Sequence, residues 1–301
     1  MERELTRRVA LKVGAGTVLA GLAGVSLTPG AYAAPAPQGT APSAPAQAST
    51  GLTTAPAAVA ANELMEPPPM ATRTFGTLRA TDWTTPPIRF EYKGKQFRRY
   101  PDASKKNHPA EAWVHVYLAT WKKSKTEVLV HGGLSKAAAK AKAHAHTLAL
   151  GRVPNFLRRE VKEMRIYSGA HSATSLNRVI SIYEGANYPT HRWANVYLHE
   201  AAHCLNEKLR ANKRLLKKWN RAVAADRVGP KAQRGGFISE YARDHRKGED
   251  FGESVISWLA LRFHPDRLAE QAPGAAPFIR AQIPNRMAFF RARGWDTAPW
   301  R

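Results

Sequence analysis

A single cysteine, Cys204, in 301 residues leaves no partner for an intramolecular disulfide, which excludes a disulfide scaffold and a multi-cysteine zinc ribbon. Any bound metal must therefore take histidine and carboxylate ligands. Acidic residues are also scarce: 23 Asp and Glu stand against 46 Lys and Arg, a formal charge of +23. Such an excess draws a protein toward polyanions without specifying a fold or performing chemistry. The apolar stretch from Val13 to Leu27 is too short and too weakly hydrophobic for a membrane span. What is present is material for a core: 44% hydrophobic and 9% aromatic residues exclude a wholly disordered chain.

The chain divides by composition. Arg7 and Arg8 precede the mild apolar stretch, and Pro29-Gly30 breaks it before Ala31-Tyr32-Ala33. This order resembles a bacterial twin-arginine export signal with a small-residue cleavage site, so residues 1–33 are expected to be a signal cut after Ala33. Its removal would take away four basic and two acidic residues, leaving nearly all of the positive charge on the mature protein. Residues 34–72 are rich in Ala and Pro and nearly free of charge and large apolar side chains, a composition that cannot offset the entropy of ordering. They are expected to form a disordered linker, and residues 73–301 the folded domain. Ile88–Tyr92 and Phe97–Tyr100 suit a hairpin turning through Lys93-Gly94-Lys95-Gln96. Pro109–Trp121 and Ser135–Leu150 suit helices, the second capped by Ser135 and ended by Gly151. Phe156–Val161 suits a short helix. Met164–Tyr167 and Val179–Tyr183 suit strands, and a helix is expected from Arg192 onward.

That last helix carries His199-Glu200-Ala201-Ala202-His203. Positions four apart lie one turn and about 40° from each other, so both imidazoles can reach a single ion from one helix face. Glu200 projects about 100° round from His199, where its carboxylate reaches a metal-bound water instead of the metal. This is the HExxH arrangement. A catalytic zinc takes three protein ligands and keeps one position open. A third ligand is available downstream, where a helix expected to begin after Gly248 carries Glu249, Asp250 and Glu253. Glu249 and Asp250 also suit a helix first turn simply through the dipole. Tyr241 suits a packed aromatic position, and Glu253 could pair with Lys or Arg on a solvated face.

Strand, HExxH helix and a second helix bearing Glu249-Asp250-Phe251-Gly252-Glu253 resemble the gluzincin zinc metallopeptidases, most closely the anthrax lethal-factor-type catalytic domain and its secreted bacterial relatives. Their pattern runs near S-x-Y-A-x-T-N-x-E-x-F-A-E. Ser239-Glu240-Tyr241-Ala242-Arg243 and Glu249 to Glu253 follow most of it, with the Thr-Asn segment replaced by the two-residue-longer Asp244-His245-Arg246-Lys247 and Gly252 standing where Ala is usual. The resemblance implies an α+β, zincin-like domain: a small twisted sheet beside the active-site helix, with a mostly helical C-terminal part. It implies Zn2+ held by His199, His203 and Glu249, with Glu253 orienting a ligand histidine. It further implies Glu200 as general base and Tyr241 as a donor to the oxyanion in hydrolysis of a peptide or protein substrate.

The charge carries a second expectation. Glu207 to Arg221 is expected to continue as one amphipathic helix with Lys and Arg outward. A candidate partner for it is an anionic cell-envelope polymer, consistent with a secreted or envelope-associated protein. No helix-turn-helix, zinc-finger or RNA-recognition signature accompanies the charge, so nucleic acid is not an expected partner. The alternative to a peptidase is accordingly an exported basic protein that adheres to the envelope around a non-catalytic metal site.

Overall fold

β-branched and aromatic residues between residues 88 and 131 build three strands in succession. These are β1 (Arg89–Arg99), β2 (Glu111–Trp121) and β3 (Ser124–His131), paired antiparallel in that order. A crossover through α1 (Lys136–Gly151) and α2 (Asn155–Arg158) returns the chain to β4 (Glu163–Tyr167), parallel to β3. β5 (Thr174–Leu176) and β6 (Val179–Tyr183) complete a mixed six-stranded sheet of order β1-β2-β3-β4-β6-β5, with β6 parallel to β4. The computed structural model describes residues 77–79, 81–102, 110–186, 193–228, 235–245 and 248–300. All belong to one unit, Asn62–Arg301. The expected signal (residues 1–33) and linker (residues 34–72) lie outside the described residues.

Two expectations for this sheet are corrected. The segment expected to form a hairpin is the single strand β1. Its register shifts between Tyr92, opposite Tyr117, and Gly94, opposite Val116. Gly94 takes φ +99° there, so the Lys-Gly pair that suggested a turn makes a β-bulge instead. The segment expected as a helix ending at Trp121 is strand β2. Its run of buried residues, Val114 to Tyr117, is explained by a sheet covered on both faces. Tyr117, Ala119 and Trp121 join the main core, whereas Val114 and Val116 join a smaller cluster with Leu129, Tyr167 and Tyr183. β3 was not anticipated.

Ser135 caps α1 as expected, its hydroxyl accepting from Ala138 N at 3.2 Å. Beyond the sheet the described residues are mostly helical. α3 (Trp193–Ala211) packs between sheet and helices, with Tyr197, Leu198, Ala201 and Leu205 in the main core. It does not run on to Arg221: the Asn212 side chain accepts from Leu215 N at 3.0 Å and starts a new helix, α4 (Lys213–Arg227). The rest comprises α5 (Glu240–Asp244), α6 (Glu249–Phe263), α7 (Pro265–Gln271), α8 (Ala275–Gln282) and α9 (Pro284–Arg291). No helix among the described residues is long and apolar enough to cross a membrane.

Two ties place α3 in this frame. Asn195 brackets the Leu78 backbone, accepting from its N at 3.0 Å and donating to its carbonyl at 2.9 Å. At the other end, Asn177 and Arg178, both at positive φ in the β5–β6 turn, donate their backbone N–H groups to the Glu207 carboxylate at 2.9 Å each. The segment before β1 is held to α7 by Arg267, both of whose terminal nitrogens donate to Asp82 at 2.6 Å. Burial tends to raise the Asp82 pKa, but the Arg267 guanidinium and the Arg79 N–H outweigh it and hold the carboxyl below its ordinary value. A depressed carboxyl contributes stability that is present above its unfolded pKa and lost as pH falls through the folded one. Asp82→Asn should therefore cost about 1 kcal/mol near neutral pH and nothing once both forms are protonated. Denaturant titrations at pH 7 and pH 3 would show a constant difference if the pair played no part.

Candidate metal centre

α3 carries two imidazoles on one face, and α6 supplies the carboxylate. Gly248 precedes α6, and Glu249 and Asp250 are the acids of its first turn, where the helix dipole favours negative charge. Asn206, on α3, donates to Gly248 O at 3.3 Å and pins that terminus to the histidine-bearing helix. As a result His199 Nε2 and His203 Nε2 lie 3.0 Å apart, and Glu249 Oε2 lies 3.2 Å from the first and 3.1 Å from the second. Among the described residues this is the His/Cys/Asp/Glu group so arranged as to hold a metal ion.

The donor set fits zinc. Two imidazole nitrogens and one carboxylate oxygen make a three-ligand set with room for a fourth position, and tetrahedral donors at bonds of about 2.0–2.1 Å stand roughly 3.3 Å apart, close to the triangle found here. Glu249 Oε2 is buried and accepts no hydrogen bond from the described residues, although both ring nitrogens stand beside it. A carboxylate oxygen so placed is free to serve as a ligand. Burial tends to raise the Glu249 pKa, but the facing His199 and His203 rings outweigh it and hold the carboxyl well below the usual range. His199 responds in the opposite sense: burial pulls it down, while the carboxylates of Glu249, Glu200 and Glu253 lift it to about 9.

The remaining expected residues surround this triangle. Glu200 is buried, one position along from His199. Glu253 comes within 3.9 Å of His199 Nδ1 through Oε1, beyond hydrogen-bond length, and its Oε2 accepts from Ser239 Oγ at 3.3 Å. Ser239 also caps α5, accepting from Ala242 N at 2.9 Å, so one hydroxyl fixes both Glu253 and the helix that bears Tyr241. The Tyr241 hydroxyl is pushed up to about 12 by burial and by the carboxylates of Glu249, Glu200 and Glu253. Its ring lies 4.6 Å from that of His245. Gly252, where the family pattern carries alanine, faces His203, and a Cβ there would stand at an ordinary 3.7 Å from His203 Cε1. Arg246 and Lys247, in the segment that departs from the pattern, lie outside the described residues.

Comparison of the chain with protein-family models, curated proteins and solved structures gives no match. The functional reading therefore stands on the cluster and the groups that hold it. Other histidines serve elsewhere. His146 Nδ1 bonds the buried Tyr197 hydroxyl at 2.9 Å while its Nε2 faces Glu184 at 3.2 Å, tying α1 to α3. Cys204 is fully buried and its thiol is pushed up by that burial, as suits a small apolar side chain.

Sequence reasoning did not find three supports of the site: Asn206, Ser239 as a tether for Glu253, and Arg286. Ser239 stood inside the recognised pattern and could have been found from its S-x-Y position. Arg286, fully buried, donates to Asp250 Oδ1 at 2.7 Å from α9 and carried no local signal. The negative charge beside His199 yields a prediction: Glu253→Gln should weaken zinc binding about 10–100-fold while leaving the helix intact. Competition against a chelator would show unchanged affinity if Glu253 only braced Ser239.

Proposed function

We propose that the chain is a zinc-dependent metallopeptidase of gluzincin type with a zincin-like arrangement of sheet and helices, exported through the signal that residues 1–33 resemble. The convergence of His199, His203 and Glu249 on one point supports this reading. Zinc bound there supplies a Lewis acid for the scissile carbonyl and acidifies water.

The chain's own groups would do the rest. The Glu200 carboxylate, shielded from bulk solvent, would take a proton from the attacking water and return it to the departing amine nitrogen. The Tyr241 hydroxyl, pushed up to about 12, stays protonated at neutral pH and so remains a donor toward the oxyanion. Glu253 and Ser239 would hold the His199 side of the site in place, and Asn206 the Glu249 side.

Elemental analysis of purified protein, run alongside digestion of a broad peptide library, tests the proposal. Stoichiometric zinc, cleavage stopped by a chelator and restored by added zinc, and loss of both metal and cleavage in His203→Ala and Glu249→Ala are the expected results. Zinc without cleavage would favour an adhesive envelope protein, and no metal at all would end both readings.

A further inference from the structure

The face of α4 turned to solvent is basic and carries no acid. Lys213, Lys217 and Arg221 follow one another at four-residue spacing, with Arg214 and Lys218 beside them, and all five are exposed. The one acidic residue of α4, Asp226, is buried among Arg286 and Asn285. None of the five cations forms an ion pair with another described residue. Successive members of the row rise about 6 Å along the helix and rotate about 40°. The row therefore begins beside Asn220, which with Leu216, Val223 and Arg227 lines a cavity of about 490 Å³, and winds away from that cavity toward Arg221.

That cavity lies between α4, the end of α3 and the start of α6. Trp219, Leu216, Val223 and Phe251 form its apolar part, and Arg227 and the Asp250 carboxylate, itself paired with Arg286, line it as well. Arg210 and Asn220 stand exposed at its edge, and the buried Asn206 offers a side-chain amide from within. Asn206 and Gly248 belong to the turns that hold His203 and Glu249, so the cavity adjoins the metal centre through two helices that both sites share.

We propose that this flank of α4 and the cavity beside it form a docking site for an acidic segment of a protein substrate, whose carboxylates run along Lys213, Lys217 and Arg221 while a large apolar side chain enters the cavity. Charge complementarity selects an anion, and the cavity selects which kind. A phosphodiester polymer or a lipid headgroup layer offers regular negative charge with no bulky apolar side chain to place against Trp219. A peptide offers carboxylates, an apolar side chain and backbone groups that the amides of Asn206 and Asn220 can pair. The volume lies within the roughly 300–1,000 Å³ typical of ligand sites. The inference rests on the peptidase reading only in making the segment part of a substrate.

The test uses the full chain and a fluorescent peptide of D-residues, rich in Glu and Asp with one Trp, which cannot be cleaved. Binding followed by anisotropy at low salt should be equal with and without a chelator. The triple substitution Lys213→Gln, Lys217→Gln, Arg221→Gln should weaken it about tenfold or more, with cleavage of a short neutral peptide unchanged. Asn220→Trp, at an exposed position on the rim, should reduce affinity for the Trp peptide to that for its Trp→Ser counterpart. Equal binding by wild type and triple variant, or equal binding of the two peptides by wild type, overturns the proposal. So does retention on phosphatidylglycerol vesicles that the triple substitution abolishes, unaccompanied by peptide binding, which would assign the face to a membrane. Because the probe needs no metal and is not hydrolysed, docking and peptidase activity fail separately.

Discussion

Glu200→Gln is expected to lower peptide turnover about 10²–10⁴-fold, the range that a positioned general base contributes, while zinc content and fold stay as in the wild type. Glutamine keeps the length and shape of the side chain, so nothing in the packing around this buried position has to move. What it removes is the ability to accept a proton from water and carry it to the leaving nitrogen. Glu200 is not among the three groups whose donor atoms converge, so metal affinity should be retained. The paired measurement separates it from His199→Ala, which strips one of those atoms and should lose metal and turnover together. A Glu200→Gln protein that cleaves at the wild-type rate would remove the base assignment.

Arg286→Ala is expected to destabilise the fold by about 3–5 kcal/mol, the cost of leaving buried charge uncompensated. The Arg286 side chain is fully buried, and four groups converge on it, the Ser254 hydroxyl at 3.4 Å among them. It donates to Asp250 Oδ1 at 2.7 Å and to Gly236 O at 2.6 Å, and its Nε stands 3.3 Å from Asp226 Oδ2 without a hydrogen-bond alignment. Asp226 is engaged besides by the backbone N–H groups of Asn285 and Arg286. Burial lowers the Arg286 pKa, and the two aspartates work against that shift, so the triad depends on mutual compensation. Truncation would take the guanidinium from Asp250, in the first turn of α6, and leave Asp226 with only its neutral N–H donors. Because Asp250 directly follows Glu249, weakened zinc binding should accompany the lost stability. Denaturant unfolding of the metal-free protein measures the first effect and chelator competition the second, and a loss below 1 kcal/mol would show that water reaches the triad.

The parts of this protein that a linear reading captured are those where physics is local. His199 and His203 stand one helical turn apart, so their spacing alone fixes a common face, with Glu200 about 100° round from the first. The Ser135 cap and the start of α6 after Gly248 depend on residues within one turn. β2 was misread because its apolar residues face two covered sides of a sheet, which erases the period-two signature. Gly94 was misread because a glycine at positive φ serves a bulge as well as a turn. The approach of Glu249 to the histidines depends on α3 packing against α6, information that no local window holds and that only the family resemblance supplied. Arg286 lies far along the chain from Asp226 and Asp250, and nothing near it in the sequence marks a buried arginine.

The Glu207 carboxylate clasps two consecutive amides of the β5–β6 turn from the same helix that bears both imidazoles, one turn beyond His203. Sheet margin and ligand helix are thereby riveted into one bracket. Any motion of α6 relative to α3 would have to work against this bracket, leaving the spacing between β5 and His199 constant.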